Sequence, residues 1–284
     1  MTRAVALLAP AKINLALAVD GRRDDGYHEL RSVFATIDLA DRVRVAASRE
    51  LEVRITPDVG APRGDDLASR AVRAMAAAAG REATACVRIR KRVPVAAGLG
   101  GGSSDAGAVL RALATIWQRD DIDLVALAAS VGSDVPFFAS GARAAFVGGR
   151  GERVDPLPDP VATHIVIVRS RARLSTQDVF AALRSEDRGA AAAVDALRDA
   201  FARRAVTPRL LRENARNDLL APAERLCPDI ADARSRAAEH GIELALTGSG
   251  PTLFAVGDDW RDALRIARKL RRTGLAAHPH TIAG

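Results

Sequence analysis

The sequence predicts a protein of mixed α and β structure in two domains, and three observations lead to that expectation. The chain has 284 residues, 48% of them hydrophobic, which suits one large domain or two of ordinary size. Its first half places a glycine-rich loop between a strand-like run and a helical pattern. Three prolines between Pro156 and Pro160 then interrupt the periodic segments. We therefore expect one domain over residues 1–156 and a second over residues 160–284.

Apolar runs and helical periodicity define the elements expected in the first domain. Asp65 is expected to cap a helix that ends near Ala79. The remaining elements are strands over residues 5–8, 13–19, 33–37, 43–46, 51–55 and 85–90, helices over 106–117 and 122–131, and a hairpin of strands 143–147 and 152–154.

The second domain is expected to begin with a strand and to end with a strand. The elements between are mostly helical, and their order is β–helices–β–β–α–β, which is typical of a split βαβ sandwich. The expected strands cover residues 163–168, 243–246, 252–256 and 276–282, and the helices cover 176–183, 189–203, 218–225, 230–240 and 260–272.

The balance of charge favours an anionic partner. The formal net charge is +7 and the pI is about 10.5, which suits a nucleotide, a phosphorylated substrate or a nucleic acid. The alternative to an enzyme is a nucleic-acid-binding protein without enzymatic activity. Such a protein should have clustered basic residues interleaved with aromatic ones, but here the basic residues are scattered and aromatic residues make up only 4%. No apolar run approaches membrane-spanning length and no signal-peptide pattern is present, so we expect a cytoplasmic protein without a membrane partner.

Residues near the N-terminus stand out because their types are rare in this chain. Only three of the 42 basic residues are lysines, namely Lys12, Lys91 and Lys269, and Tyr27 is the single tyrosine. Asn14, one of three asparagines, lies between Lys12 and Tyr27. We infer that these positions require an ammonium, a carboxamide and a particular aromatic ring; chance clustering is the alternative.

The segment from Pro94 to Ala106 carries the strongest chemical signal. Four glycines fall within residues 98–102, and glycine lets successive backbone N–H groups point toward one anion. We expect Ser103, Ser104 and Asp105 to cap the helix that follows, and a helix N-terminus attracts phosphate. The spacing matches neither a P-loop nor a dinucleotide fingerprint. A flexible turn or a plain helix cap is the alternative.

Three shorter segments have both a structural and a chemical interpretation. Asp134 can cap a turn, or it can accept a hydroxyl proton if an ammonium such as Lys12 holds it ionised. The segment Thr247–Gly250 is either a hairpin connection or a clamp on phosphate or substrate. Tyr27 and His28 either pack in a turn or hold a base by stacking and hydrogen bonding. The two cysteines, Cys86 and Cys227, lack metal-ligand spacing and are expected to be free thiols.

Three motifs in order, Pro10–Leu15, Pro94–Ala106 and Thr247–Gly250, resemble those of the GHMP kinases. The resemblance implies ATP-dependent phosphorylation of a small-molecule alcohol in a cleft between two α+β domains. The N-terminal domain would resemble domain 2 of ribosomal protein S5, and the C-terminal domain would be ferredoxin-like. The segments Gly26–His28 and Gly132–Pro136 narrow the resemblance to members that phosphorylate the 2-hydroxyl of a cytidine diphosphate-linked methylerythritol. A GHMP kinase for homoserine, mevalonate or a sugar is the closer alternative.

The resemblance also implies roles for individual residues. Lys12 and Asp134 would be catalytic. Substrate would contact Asn14, Tyr27, His28, Thr176, Phe180, Gly248 and Ser249. The phosphates of ATP would contact a loop, called the phosphate loop below, that consists of Pro94, Val95, Ala96, Ala97, Gly98, Leu99, Gly100, Gly101, Gly102, Ser103 and Ser104.

Two positions depart from the family pattern, and the sequence leaves the identity of the metal ligands undecided. Ala96 stands where the family often has glycine, and Gly107 where it often has alanine. A magnesium-binding glutamate has no clear counterpart, so Mg²⁺ is expected to bind phosphate oxygens and water, with Ser104 and Asp105 as possible contributors. The expected partner is the small-molecule substrate, with no nucleic acid, and the chain is expected to be a monomer or a homodimer.

Overall fold

A computed structural model of the chain describes residues 4–24, 26–58, 60, 64–160, 162–170 and 172–282. The strands of this described part are β1 (Ala4–Arg22), β2 (His28–Ala46), β3 (Leu51–Thr56), β4 (Ala85–Arg90), β5 (Ala144–Gly149), β6 (Arg153–Pro156), β7 (Thr163–Arg169), β8 (Ala245–Leu246), β9 (Leu253–Val256) and β10 (Ala276–Ile282).

The helices lie on the faces and at the ends of the sheet. They are α1 (Leu67–Ala79), α2 (Gly101–Trp117), α3 (Leu124–Ala128), α4 (Val135–Ser140), α5 (Thr176–Ala181), α6 (Ala191–Ala202), α7 (Pro208–Asn214), α8 (Leu220–Leu226), α9 (Pro228–Ala238) and α10 (Trp260–Arg272), with a short 3₁₀ turn at Ser185–Asp187. The prediction of mixed α and β structure is confirmed. Within the described ranges, no helix is both long enough and apolar enough to cross a membrane.

The first two strands form a long antiparallel ribbon that the sequence had divided into four pieces. β1 and β2 each run for 19 residues, and their pairing shifts register between Pro10 and Lys12 and again between Asn14 and Ala16. Pro10 cannot donate a backbone hydrogen bond, and the bulge beside it keeps the two strands paired. The ribbon therefore continues where local patterns predicted a break.

The starts of α1 and α2 differ from the expected ones in how they are capped. Asp66, rather than Asp65, caps α1 by accepting a hydrogen bond from the Ser69 backbone N–H. α2 begins at Gly101, with Gly100 at the N-cap position and no side-chain cap. The expected caps at Ser103 to Asp105 are wrong because these residues already lie inside the first turns of α2. Gly100 can start the helix without a side chain because it adopts a φ of +69°.

The second half keeps the predicted order of elements. α7 was not predicted; Thr207 caps it and Pro208 occupies its first turn, as is common at helix starts. β7 and β10 pair along their full lengths, and a single pairing of Ile282 with Ile37 joins their sheet to the β1–β2 ribbon.

One apolar core links the two halves of the chain. It combines residues of β1 such as Ile13 with Phe201 of α6, Phe254 of β9 and Ile282 of β10, all at most 2% exposed. Burial of this kind holds the two parts together. A cavity described below is lined by residues of the β1–β2 ribbon, α1, α2 and α5 and by the two residues just before α4.

Candidate active site

A cavity of about 1370 Å³ brings most of the predicted site residues together. This volume exceeds the ~300–1000 Å³ of a pocket for one small ligand, so two ligands fit side by side. The predicted residues that line it are Lys12, Asn14, Tyr27, His28, Pro94, Val95, Ala96, Ala97, Gly98, Gly100, Gly101, Gly102, Ser103, Asp134, Thr176, Phe180, Gly248 and Ser249. Two members of the phosphate loop do not line it: Leu99 and Ser104 are both 1% exposed and point into the protein.

The phosphate loop is built from alternating left-handed residues. Ala96, Gly98 and Gly100 have φ values of +53°, +73° and +69°. This alternation turns backbone N–H groups toward the cavity, and the loop leads directly into the N-terminus of α2. The first N–H groups of a helix have no intrahelical acceptor and lie at the positive end of its dipole. The loop can therefore bind an anion without a lysine of its own.

The second glycine loop, Thr247–Gly250, packs backbone to backbone against the phosphate loop. A Cβ at Gly98 would lie 2.6 Å from the Thr247 carbonyl oxygen, and a Cβ at Gly248 would lie 2.9 Å from the Gly98 carbonyl oxygen. No side chain fits at either position. The segment connects β8 to β9, as a hairpin does, and it also lines the cavity. The hairpin interpretation is confirmed, and the clamp on phosphate or substrate stays a prediction.

Lys12 and Asp134 meet beside the phosphate loop. Lys12 Nζ lies 3.4 Å from Asp134 Oδ2, and the Lys12 backbone N–H donates a hydrogen bond to the Leu99 carbonyl. Lys12 is 3% exposed, whereas the Asp134 side chain is 31% exposed and faces the cavity. Asp134 occupies the N-cap position of α4 but its carboxylate makes no capping hydrogen bond. The expected meeting of these two side chains is confirmed.

Asn14 connects three parts of the site. Its Oδ1 accepts hydrogen bonds from Lys12 Nζ at 2.6 Å and from the Gly248 N–H at 2.9 Å. Its Nδ2 donates to Ser32 Oγ, and its backbone N–H donates to Thr247 Oγ1. Asn14 lines the cavity as expected, but its amide is engaged in holding Lys12 and the second glycine loop in place.

Aromatic side chains gather at the turn of the β1–β2 ribbon. The His28 and Phe180 rings are stacked with centroids 5.0 Å apart, which leaves no room for a third ring between them. Burial, together with the positive charges of Arg22 and Arg188, lowers the pKa of His28 below its usual value. A neutral imidazole offers one donor and one acceptor to a ligand. Tyr27 is 52% exposed at the cavity rim.

Thr176 lies close to the second glycine loop. Its Oγ1 and the Ser249 Oγ are 2.9 Å apart and share a hydrogen bond. Thr176 is the first residue of α5, and Ser175 caps that helix. The contact places two hydroxyl groups at the cavity wall between the second glycine loop and Phe180.

A buried charge cluster below the phosphate loop was not anticipated as a unit. Lys91 Nζ donates to Asp105 Oδ2 at 2.6 Å and also to Asp41, which accepts from the backbone N–H groups of Arg92 and Val93. Burial raises the pKa of Asp105 to about 7, although the Lys91 charge opposes the shift. The rarity of lysine in the chain was the available signal. Lys91 stands out on the same ground as Lys12.

Two polar atoms near the phosphate loop have no hydrogen-bond partner in the described structure: Ser104 Oγ and Asp105 Oδ1. Asp105 lines the cavity and Ser104 does not. Among the described residues, no group of three or more His, Cys, Asp or Glu side chains is arranged to hold a metal ion. Of the two expected contributors to magnesium binding, only Asp105 lines the cavity, and its side chain is buried.

The two departures from the family pattern have different physical consequences. Ala96 adopts a left-handed φ of +53°, a conformation that costs a residue with a Cβ ~1–2 kcal/mol. A Cβ at Gly107 would lie 2.6 Å from Phe138 Cβ and 2.8 Å from the Phe138 carbonyl carbon. Glycine at this position therefore lets α2 pack directly against α4.

Comparison with known proteins gives two matches to family models. The family model described as GHMP kinases N terminal domain matches residues 66–142, and the one described as GHMP kinases C terminal matches residues 193–276. A 4-diphosphocytidyl-2-C-methyl-D-erythritol kinase of Thermus thermophilus is 40% identical over 272 residues, which are 95% of this chain and 94% of the relative.

Solved structures give the same result. A crystal structure of 4-(cytidine 5'-diphospho)-2C-methyl-D-erythritol kinase superposes with a TM-score of 0.79 and 37% identity, over 99% of this chain and 100% of the other. A homoserine kinase from Cytophaga hutchinsonii reaches a TM-score of 0.70 at 18% identity, over 99% and 94% of the two chains. The second similarity reflects the shared fold alone.

Proposed function

This chain belongs to the GHMP kinases and, among them, to the family of the 4-diphosphocytidyl-2-C-methyl-D-erythritol kinases, and from that premise we propose how its residues act on the substrate. The reaction is transfer of the γ-phosphoryl group of ATP to the 2-hydroxyl of 4-diphosphocytidyl-2-C-methyl-D-erythritol, a step of non-mevalonate isoprenoid biosynthesis. The observation that carries the assignment of roles is the contact of Lys12 with Asp134 beside the phosphate loop.

Asp134 is the group that receives the hydroxyl proton. The substrate oxygen attacks the γ-phosphorus, the bond between that phosphorus and the β–γ bridging oxygen breaks, and ADP leaves with the electron pair. The Lys12 ammonium, 3.4 Å from Asp134 Oδ2, orients that carboxylate and offsets negative charge at the reacting centre. Phosphoryl transfer depends mainly on positioning and electrostatics. Lys12 contributes to both: its charge supplies the electrostatics, and its hydrogen bond to Asn14 fixes the position of the ammonium.

ATP is expected to lie along the phosphate loop with its base beyond α1. Ile55, Leu67 and Ile89 line that end of the cavity and offer an apolar wall for a flat ring. Backbone N–H groups of the loop and the N-terminus of α2 bind the phosphates. Mg²⁺ would neutralise phosphate charge, held by phosphate oxygens and water with Asp105 as a possible protein ligand.

The cytidine end of the substrate is expected at the turn of the β1–β2 ribbon. His28 stacks on Phe180 and so is not free to stack on the base through that face. Its neutral ring instead suits a hydrogen bond to the edge of cytosine. Tyr27 or the other face of Phe180 supplies the stacking surface. Thr176, Gly248 and Ser249 line the wall between the base and Lys12.

A panel of alcohols tests the substrate. The purified chain is incubated with ATP, Mg²⁺ and either 4-diphosphocytidyl-2-C-methyl-D-erythritol, methylerythritol 4-phosphate, homoserine or mevalonate, and ADP release is followed. We expect turnover with the first compound alone, and Tyr27→Ala should raise its KM strongly. Equal turnover of an alcohol without cytidine would favour another GHMP kinase activity. Absence of ATP turnover with salt-sensitive RNA binding would favour the nucleic-acid-binding alternative.

Several expectations stay predictions. These are the division of the chain at residues 156 to 160, the monomeric or homodimeric state, the cytoplasmic location and the lack of a nucleic-acid partner. The basic charge of the chain does not require a nucleic-acid partner, because both ATP and the proposed substrate are anionic.

A further inference from the structure

Three arginines line the cavity near Tyr27 and His28, and the proposed mechanism does not use them. Arg22 lies at the end of β1, Arg150 in the turn between β5 and β6, and Arg188 before α6. Arg22 and Arg188 are close enough to His28 to influence it electrostatically, and the Arg150 guanidinium lies 5.2 Å from the centre of the Tyr27 ring. The three side chains thus lie at the same end of the cavity as Tyr27 and His28.

In the part of the chain described, these three arginines line the cavity and have no carboxylate partner. Of their three side chains, only that of Arg22 makes a hydrogen bond within the described residues: its Nε donates to the Gly26 carbonyl at 3.4 Å. By contrast, Arg23 pairs with Glu29 and Arg31 with Asp20. Guanidinium groups that remain unneutralised at a cavity wall are available to an anionic ligand.

Several acidic residues close to the three arginines or to His28 are engaged elsewhere. Asp20, two residues before Arg22, pairs with Arg31. Asp187, next to Arg188, accepts two hydrogen bonds from Arg225. Glu29, next to His28, pairs with Arg23 and Arg153. Glu152 accepts the backbone N–H of Arg150. Among the described residues, four carboxylates line the cavity. Asp65 and Asp66 lie at the start of α1, Asp105 follows the phosphate loop, and Asp134 lies beside Lys12.

Arg150 connects the cytidine end with the reacting centre. The next residue, Gly151, packs so closely on the Ser133 carbonyl that a Cβ there would overlap it. Ser133 directly precedes Asp134. One short turn therefore contacts the loop that carries the proposed proton acceptor, while its arginine extends toward Tyr27.

We propose that Arg22, Arg150 and Arg188 form a subsite for the diphosphate bridge of the substrate, with Arg150 as its central member. The inference rests on the proposed function, because it takes the bridge to lie between the base at Tyr27 and the hydroxyl at Asp134. The bridge carries two negative phosphates, and a guanidinium binds phosphate with paired N–H donors. The three arginines are positioning residues: they hold the substrate and take no part in the transfer.

The test measures what the diphosphate adds to binding. Affinities for CDP and for cytidine are measured on the wild-type chain, Arg150→Gln, Arg150→Lys and, as the matched control, Arg153→Gln, an exposed arginine of the same hairpin that pairs with Glu29. Losing a charge-assisted hydrogen bond should weaken CDP binding by about tenfold in Arg150→Gln. Cytidine binding should not change. Arg150→Lys should retain part of the effect because it keeps the charge.

Two further readouts separate this role from a structural one. With the full substrate, Arg150→Gln should raise KM and leave kcat unchanged, since the contact is made equally in the ground state and in the transition state. Salt should weaken CDP binding less in Arg150→Gln than in the wild type. Arg22→Gln and Arg188→Gln, at exposed positions, should each weaken CDP binding by about threefold.

The outcomes that overturn the subsite are distinct from those that overturn the proposed function. If the wild type prefers CDP over cytidine and the glutamine variants keep that preference, the subsite is wrong and the function stands. An equal loss of CDP and cytidine binding would mean that Arg150 supports Tyr27 rather than phosphate. If the wild type binds neither compound and phosphorylates a different alcohol, the proposed function fails.

Discussion

Lys12 Nζ donates its shortest hydrogen bond to Asn14 Oδ1, at 2.6 Å, and lies 3.4 Å from Asp134 Oδ2. The ammonium is therefore held by a neutral amide and directed at a carboxylate. Asn14 in turn accepts a hydrogen bond from Gly248, so the position of the ammonium depends on the contact between the two glycine loops. This arrangement leads to the first two predictions.

Asp134→Asn should remove most of the activity. The amide keeps the size of the side chain but cannot accept the hydroxyl proton, and loss of a positioned acid–base group typically lowers the rate ~10²- to 10⁴-fold. ATP binding should persist because Asp134 lies outside the phosphate loop. Single-turnover rates together with ATP titration by calorimetry measure both effects. An Asp134→Asn enzyme with wild-type turnover would reject the proposed role.

Asn14→Ala should lower both stability and kcat. The substitution removes the hydrogen bonds that Asn14 makes with Lys12 Nζ, the Gly248 N–H and Ser32 Oγ, and a buried group left without its partner costs about 1–3 kcal/mol. The free energy of unfolding from urea titration and kcat with saturating substrates are the measurements. Asn214→Ala, which removes a side-chain hydrogen bond to the Leu210 carbonyl within α7, is the control and should leave kcat unchanged. A stable, fully active Asn14→Ala variant would contradict the prediction.

Gly107→Ala should destabilise the protein even though alanine favours helices. The added methyl would meet the backbone of Phe138 at 2.8 Å, and backbone cannot rotate away as a side chain can. Overpacking of this kind costs ~1–3 kcal/mol. Because Phe138 belongs to α4, which begins directly after Asp134, activity should also fall. Gly102→Ala, where the nearest atom is a Leu67 side-chain carbon at 3.6 Å, is the control for stability.

Ala96→Gly should stabilise the chain slightly. It removes the ~1–2 kcal/mol penalty of a left-handed alanine but costs ~0.4–1 kcal/mol, because glycine raises the entropy of the unfolded chain. At the middle of both ranges the net gain is about 0.8 kcal/mol. Ala97→Gly, at the neighbouring residue without a positive φ, should lose stability instead. Thermal unfolding of both variants provides the comparison. If both variants lose stability to the same extent, the strain assigned to Ala96 is absent.

Asp105→Asn should change how stability depends on pH. Burial raises the pKa of Asp105 to about 7, above the 3.8 of an unperturbed carboxyl group. The folded state then binds more protons than the unfolded state between these values, so the free energy of unfolding falls as pH rises from about 4 to about 7 and levels off above. The asparagine variant lacks this contribution and should show a flatter profile.

The measurement for Asp105 is thermal unfolding from pH 5 to 8 without divalent cations. Asp155→Asn, at an exposed carboxylate, gives the baseline. Parallel curves for the wild type and Asp105→Asn would show that Lys91 keeps Asp105 ionised throughout, against the effect of burial.

Local sequence was sufficient where chemistry and backbone conformation belong to one segment. The phosphate loop could be predicted because four closely spaced glycines, a preceding strand and a following helix lie next to each other in the chain. The strand β4 and the helix α10 were predicted at the residues where they occur, since their patterns are continuous. The rarity of lysine pointed to Lys12 before its partner was known.

Contacts between distant segments could not be predicted in the same way. The long β1–β2 ribbon needs cross-strand pairing to carry it through Pro10, and the stack of His28 on Phe180 needs two loops to meet. The left-handed φ of Ala96 depends on packing of the whole phosphate loop. Sequence by itself determined the fold class, the position of the glycine-rich loop and the candidates for the reactive groups, because these depend on residue type and short spacing. Tertiary structure alone decided which charges are neutralised, which glycines have no room for a methyl group, and where Lys12 points, because those properties depend on neighbours that the chain brings together only when it folds.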